Sequence, residues 1–178
     1  GIVEQMTKEL HARGHRRIAW LGSDMTKLHH YAAGDRWSGY QNAMGDLGLP
    51  PVFVMAAQGE DRLRQRACQQ ILEARPRPTA VICSSDSLGY ELLYTAALRG
   101  IRVPEDLSVL IIQNSPTPYF GMQVGGGVVP FHAMGERGAR MLVARIKQPK
   151  DKKSVALPFT FIPGDTLGSV PKRKKRGA

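Results

Sequence analysis

The 178-residue chain is poor in the features that mark several protein classes. It holds two cysteines, Cys68 and Cys83, each inside an apolar-patterned segment. That excludes a disulfide framework and reads as buried thiols in a reducing compartment. No apolar run approaches the ~18 residues of a membrane-spanning helix. There is no G-x-x-x-x-G-K-S/T loop and no G-x-G-x-x-G at a strand–helix turn, so neither glycine-rich phosphate cradle is present. A G-x-S-x-G nucleophile elbow is also missing. Five histidines occur (His11, His15, His29, His30, His132), but none pairs with cysteine or carboxylate at zinc-ligand spacing. No metal and no cofactor is therefore expected. Asp24, Asp35 and Asp86 are carboxylates that could do acid–base chemistry, yet helix capping explains Asp86 and Asp35 equally well. No catalytic constellation supports an enzyme.

Negative charge is scarce too. Fifteen Asp and Glu face 25 Lys and Arg, a net charge of +10. Half of the excess lies in the string KRKKR at 172–176. Such a run suits a polyanion. It has no aromatic residue to stack on bases and no helical period, so it reads first as a solvated C-terminus.

What is present is an ordinary globular composition: 42% hydrophobic and 22% charged residues. The length fits about one domain with a tail. The chain opens GIVEQMTKELHARGHRR, an amphipathic helix pattern and not a signal peptide, and it lacks an initiating Met. It is expected to be a piece of a longer chain, or a mature form.

Helix-like and strand-like segments alternate. Ile2, Met6 and Leu10 share one helical face, stopped by Gly14. Residues 17–21 form an apolar strand. Trp37, Tyr40, Met44 and Leu47 give a second helix, with Asp35 near its start, ended before Pro50 and Pro51. Residues 52–55 read as a strand. Leu63, Ala67, Ile71 and Leu72 mark a third helix. The strand at 79–83 runs into the capping cluster Ser84–Ser87. Leu88, Leu92, Leu93 and Ala96 form a fourth helix, closed by Gly100. Residues 107–112 make the most apolar strand. Residues 114–127 read as a Pro- and Gly-rich loop, with Gly125–Gly127 a flexible crossover. A fifth helix carries Phe131, Met134, Met141, Leu142 and Ile146, and 155–162 reads as a last strand. This alternation predicts an α/β fold on a mainly parallel sheet, with Ile18, Val81, Ile82, Val109 and Ile111 buried. Ligands of such sheets sit beyond the C-terminal strand ends. The polar exits are 22–24, 84–86 and 113–114.

Four strings then carry a resemblance. They are GHRRIAWL at 14–21 with DRWSGY at 35–40, PTAVICSSD at 78–86, GIRVPEDLSV at 100–109, and FHAMGERGARML at 131–142. In this order and spacing, over about residues 1–168, the chain resembles the LacI/GalR family of bacterial transcription regulators. The resemblance implies one parallel-sheet lobe of a two-lobed fold similar to periplasmic binding proteins. Residues 1–126 would be its C-terminal lobe and 127–150 a segment returning to an absent first lobe. Residues 151–168 would close the C-terminal lobe, and 169–178 would be the basic tail. It further implies a cytoplasmic regulator controlled by a small-molecule effector (a sugar, sugar acid or purine-like compound). Operator DNA would be held by a missing N-terminal headpiece, not by this fragment. The family dimerises through the helix near 88–98 and the loop after the 109 strand. Here those carry Leu88, Tyr90, Leu93, Tyr94, Tyr119, Phe120 and Met122, which implies a homodimer. The alternative is a periplasmic-type solute-binding protein, separable by what the upstream reading frame encodes.

The family places an effector-contacting Arg at position 36, and a guanidinium suits hydroxyl pairs or carboxylates. By the same resemblance Ser85, Asp86, Gln113 and His30 are ligand-contact candidates. Several positions depart from the family pattern. Gln113 stands where an acid is usual, Ser85 where Asn is usual, and Gly59 where an aromatic residue is usual. A site so thinned implies an atypical effector or a drifted one.

Overall fold

A computed structural model describes residues 1–23, 31–56, 61–116, 118, 121–147 and 154–170. His30, Asp24, Gly59, Tyr119, Phe120 and the KRKKR string lie outside the described residues. The elements alternate as α1 (Ile2–Ala12), β1 (Ile18–Ser23), α2 (Tyr31–Asp46), β2 (Val52–Ala56), α3 (Asp61–Glu73), β3 (Ala80–Cys83), α4 (Asp86–Leu98), β4 (Ser108–Gln113), β5 (Gly125–Val128), α5 (Phe131–Lys147) and β6 (Thr160–Ile162). The sheet order is β2-β1-β3-β4-β5-β6. All neighbours run parallel except β6, which is antiparallel to β5.

The central strands are buried on both faces, as non-alternating apolar runs require. On one face Leu21, Val81, Cys83, Val109 and Ile111 pack with Ile71 of α3 and Leu88, Leu92 and Leu93 of α4. On the other, Ile18, Trp20, Ile82, Leu110 and Ile112 pack with Met6 and Leu10 of α1 and Tyr40 and Met44 of α2. Ile18, Val81, Ile82, Val109 and Ile111 are all fully buried. Both cysteines are free and buried, and burial pushes the Cys68 thiol up to about 12.

Two expectations need correction. The glycines at 125–127 are not a loose crossover but strand β5, paired in register with Leu110, Ile111 and Ile112. A β-carbon on Gly126 would collide with the Ile111 carbonyl, and φ there is 146°. Glycine is present because the backbones approach closely, so the strand carries no side-chain period to read. The final strand is also shorter than the apolar run at 155–162 suggested, covering only Thr160–Ile162.

Two polar clamps tie the N-terminal ends of the strands. The Tyr40 hydroxyl donates to the Ile18 carbonyl at 2.8 Å and accepts from the Val52 N–H at 2.9 Å, joining α2 to β1 and β2. Burial lifts its phenol to about 12. The fully buried His15 has Nε2 3.2 Å from the Gly168 carbonyl and Nδ1 3.0 Å from Thr79 Oγ1. A carbonyl can only accept, so Nε2 carries the proton and Nδ1 accepts from the Thr79 hydroxyl. His15 thereby holds the 164–170 segment against the starts of β1 and β3.

Tyr40→Phe leaves the Val52 N–H and Ile18 carbonyl without this partner, and should cost about 1–3 kcal/mol in urea unfolding. Desolvation holds the His15 imidazole below its ordinary value of 6.5. Below that value the unfolded chain takes up a proton that the folded chain resists, so stability falls as pH drops. Above 6.5 the contribution is complete. Urea midpoints of wild type and His15→Gln should therefore differ less at pH 5 than at pH 8.

Candidate functional site

In a parallel sheet every strand exits on the same side, so β1, β3 and β4 deliver their polar C-terminal residues to one rim. At the end of β3 the chain turns through Ser84 and Ser85 into α4. Ser85 is the N-cap residue with extended φ and ψ of −157° and 161°. Its hydroxyl lies 3.2 Å from that of Ser87 and makes no side-chain capping bond. Asp86 opens the helix, where the N-terminal dipole favours an anion. Its Oδ2 accepts the Asn114 N–H at 3.0 Å, linking the β3 exit to the β4 exit. Its Oδ1 is buried with no hydrogen-bond partner among the described residues. Burial raises the carboxyl above its usual value, partly offset by the Asn114 N–H.

Arg36 reaches the same rim from the first turns of α2. Its Nη1 donates to the Ser84 carbonyl at 3.3 Å. Burial lowers its pKa, and no carboxylate pairs with it among the described residues. The same side chain lines a groove of about 740 Å³ bounded by the start of α1, by Ala32, Asp35 and Gly39 of α2, and by Ala156–Phe159.

Gln113 ends β4 and is fully buried. Its Nε2 donates to the Val124 carbonyl at 3.0 Å, while Oε1 has no partner. The fold therefore brings Arg36, Ser85, Asp86 and Gln113 to the ends of adjacent strands. Hydrogen bonds join Arg36 to the Ser84 carbonyl and Asp86 to Asn114, the neighbour of Gln113. His30 lies outside the described residues.

Trp20 was missed by the sequence reading as anything but a strand residue. Its indole is buried and Nε1 has no hydrogen-bond partner. A β-carbon at Gly22 would collide with that nitrogen, so the N–H edge of the ring lies over Gly22, one residue before the strand ends at Ser23. A Trp two residues before a Gly at a strand exit was the available signal. Among the described residues no group of three or more His, Cys, Asp or Glu is placed to hold a metal ion, and no helix is long and apolar enough to cross a membrane.

The chain is also similar to known proteins. The periplasmic binding protein-like domain family matches residues 7–167. The HTH-type transcriptional repressor PurR of Vibrio atlanticus is 33% identical over 152 residues, covering 84% of this chain and 45% of that protein. The HTH-type transcriptional regulator GntR of Escherichia coli is 30% identical over 170 residues, covering 93% of this chain and 50% of that one. The chain thus spans about half the length of these curated relatives. In fold it is similar to a LacI family transcriptional regulator from Bifidobacterium animalis subsp. lactis, with a TM-score of 0.82 and 22% identity, covering 94% of this chain and 61% of that chain.

Asp86→Asn keeps an acceptor for the Asn114 N–H and removes a charge that burial disfavours. A raised folded-state pKa means the ionised carboxylate detracts from stability as pH rises through it. The variant should be at least as stable as wild type in urea at pH 7. The chain belongs to the periplasmic binding protein-like domain family, in the form carried by LacI/GalR transcription regulators.

Proposed function

We propose that this chain is the effector-binding and dimerisation portion of a DNA-binding transcription regulator of the LacI/GalR type. It works by binding and not by catalysis, and the regulator acts in the cytoplasm. The observation that carries the reading is the rim itself. A half-buried guanidinium without a carboxylate partner among the described residues reaches the Ser84 carbonyl, two residues before a carboxylate with one oxygen unpartnered among them, at the strand ends where open α/β sheets take ligands. A small polar effector (a sugar, sugar acid or purine-like compound) would lie across Arg36, Ser85, Asp86 and Gln113.

Helix α5 supports a second lobe. None of its residues is buried, yet it carries a large apolar face with Phe131, Met134, Leu142, Val143 and Ile146 exposed. A solvated helix does not need that face. Residues 127–150 on this reading belong with a first lobe that these 178 residues do not contain, and 151–168 return to this one. Effector binding between the lobes would favour one relative arrangement and so change the spacing of the DNA-binding headpieces.

Dimerisation would use α4. Leu88 and Leu93 face the sheet and are buried, so they are core residues and not interface residues. Tyr94 and Leu98 remain 52% and 67% exposed on the outer side of the same helix. These two, with Met122, are the surface offered to a second copy; Tyr119 and Phe120 lie outside the described residues.

Calorimetry on the longest reading frame containing this chain, against sugars, sugar acids and purines, tests the site. Arg36→Ala should weaken the best ligand by about 1–3 kcal/mol, the scale of a charge-assisted hydrogen bond. An unchanged affinity would mean that the ligand lies elsewhere.

A further inference from the structure

Three of the four buried side-chain polar atoms without a partner among the described residues lie at or beside one rim of the sheet: Trp20 Nε1, Asp86 Oδ1 and Gln113 Oε1. Buried polar groups are nearly always paired, so three orphans at adjacent strand exits point to a partner that comes from outside the chain. Their chemistry is not mixed at random. Trp20 packs on the face of the sheet covered by α1 and α2, and Arg36 enters from α2. Both are donors only. Asp86 opens α4, on the opposite face, and Gln113 shares that side with Val109 and Ile111 by strand alternation. The atoms left unpaired there are acceptors. A ligand lying across the strand ends therefore meets donors at one end and acceptors at the other.

We infer that Trp20 is a ligand-contacting residue whose indole N–H, together with the Arg36 guanidinium, takes a carboxylate oxygen of a polyhydroxylated acid. The hydroxyls at the other end of that molecule donate to Asp86 and Gln113. This rests on the rim being the effector site, and it adds to that reading both a residue and a class of ligand. The local packing is arranged for it. The Trp20 ring is held by Tyr40 and Trp37, at centroid distances of 5.7 and 6.4 Å. The absence of a side chain at Gly22 lets the N–H edge reach toward the exit of β1. A packing role alone would be filled by Phe, which has no donor to leave unpaired.

The test uses the longest reading frame that contains these residues and two probes, D-gluconate and D-glucitol, which share a polyol chain but differ in the carboxylate. Wild type should prefer gluconate at least about tenfold, the scale of one charge-assisted hydrogen bond. Trp20→Phe should lose about tenfold in gluconate affinity and little in glucitol affinity, so that the preference collapses. Gly22→Ala, which displaces the ring edge, should move the preference in the same direction. The Trp20 indole N–H resonance, assigned by its loss in Trp20→Phe, should shift when gluconate is added. Equal weakening of both probes by Trp20→Phe, or an indole resonance that does not move, overturns the inference. So does a wild type that binds gluconate no better than glucitol, or neither at all. If Arg36→Ala weakens gluconate while Trp20→Phe does not, only the role of Trp20 has failed. If neither variant weakens it, the effector site itself has been misplaced.

Discussion

The constraint on which the structure depends is the burial of β1, β3 and β4 on both faces at once. A strand in that position can carry apolar side chains along its length but must still complete its backbone bonds, and the parallel ladder does so through matched registers such as Ala19 with Val81 and Val81 with Val109. Everything polar is then pushed to the two ends. Because the strands are parallel, those ends are chemically different: all chain entries lie on one side and all exits on the other.

The two ends are treated differently. At the entry side, His15 and Tyr40 find their partners, and Thr166 Oγ1 donates to the Val109 carbonyl while accepting the Gly125 N–H. Those bonds join segments far apart in sequence and fix the sheet as a platform. Toward the exit side, Asp86, Gln113 and Trp20 each keep one atom unpaired among the described residues. On the proposed reading the entry end is structural and the exit end serves recognition. Among the described residues one further buried polar atom without a partner, Thr95 Oγ1 near the C-terminal end of α4, lies away from that edge.

Most of this was legible in the sequence, for physical reasons that differ by element. The core strands announce themselves because burial on both faces demands uninterrupted runs such as residues 107–112, and α1 does so because one covered face imposes a 3.6-residue period. Strand β5 was not legible, since three glycines chosen for backbone proximity carry no hydrophobic pattern. Helix α5 was legible as a helix. Its exposure was not, because an apolar face in a sequence does not say which partner covers it. The strings around Arg36 and Asp86 placed both near the strand ends, where the structure has them, and Gln113 is more deeply enclosed than a ligand contact suggests from sequence. The orphaned N–H of Trp20 could not be read, because a missing hydrogen bond is a property of packing and not of residue type.

The departures from the family pattern fit the electrostatics of the rim. The family's acid at the end of β4 would place a second carboxylate beside Asp86, and two such charges in a poorly solvated site repel each other. With Gln113 there, the acceptor survives in Oε1 but the charge does not. Arg36, partly buried and without a carboxylate partner among the described residues, is then not neutralised from within. A desolvated guanidinium is best satisfied by an anion that can take two of its donors at once. In the proposed site, Gln113 in place of that acid would favour acids over neutral polyols, on the same fold.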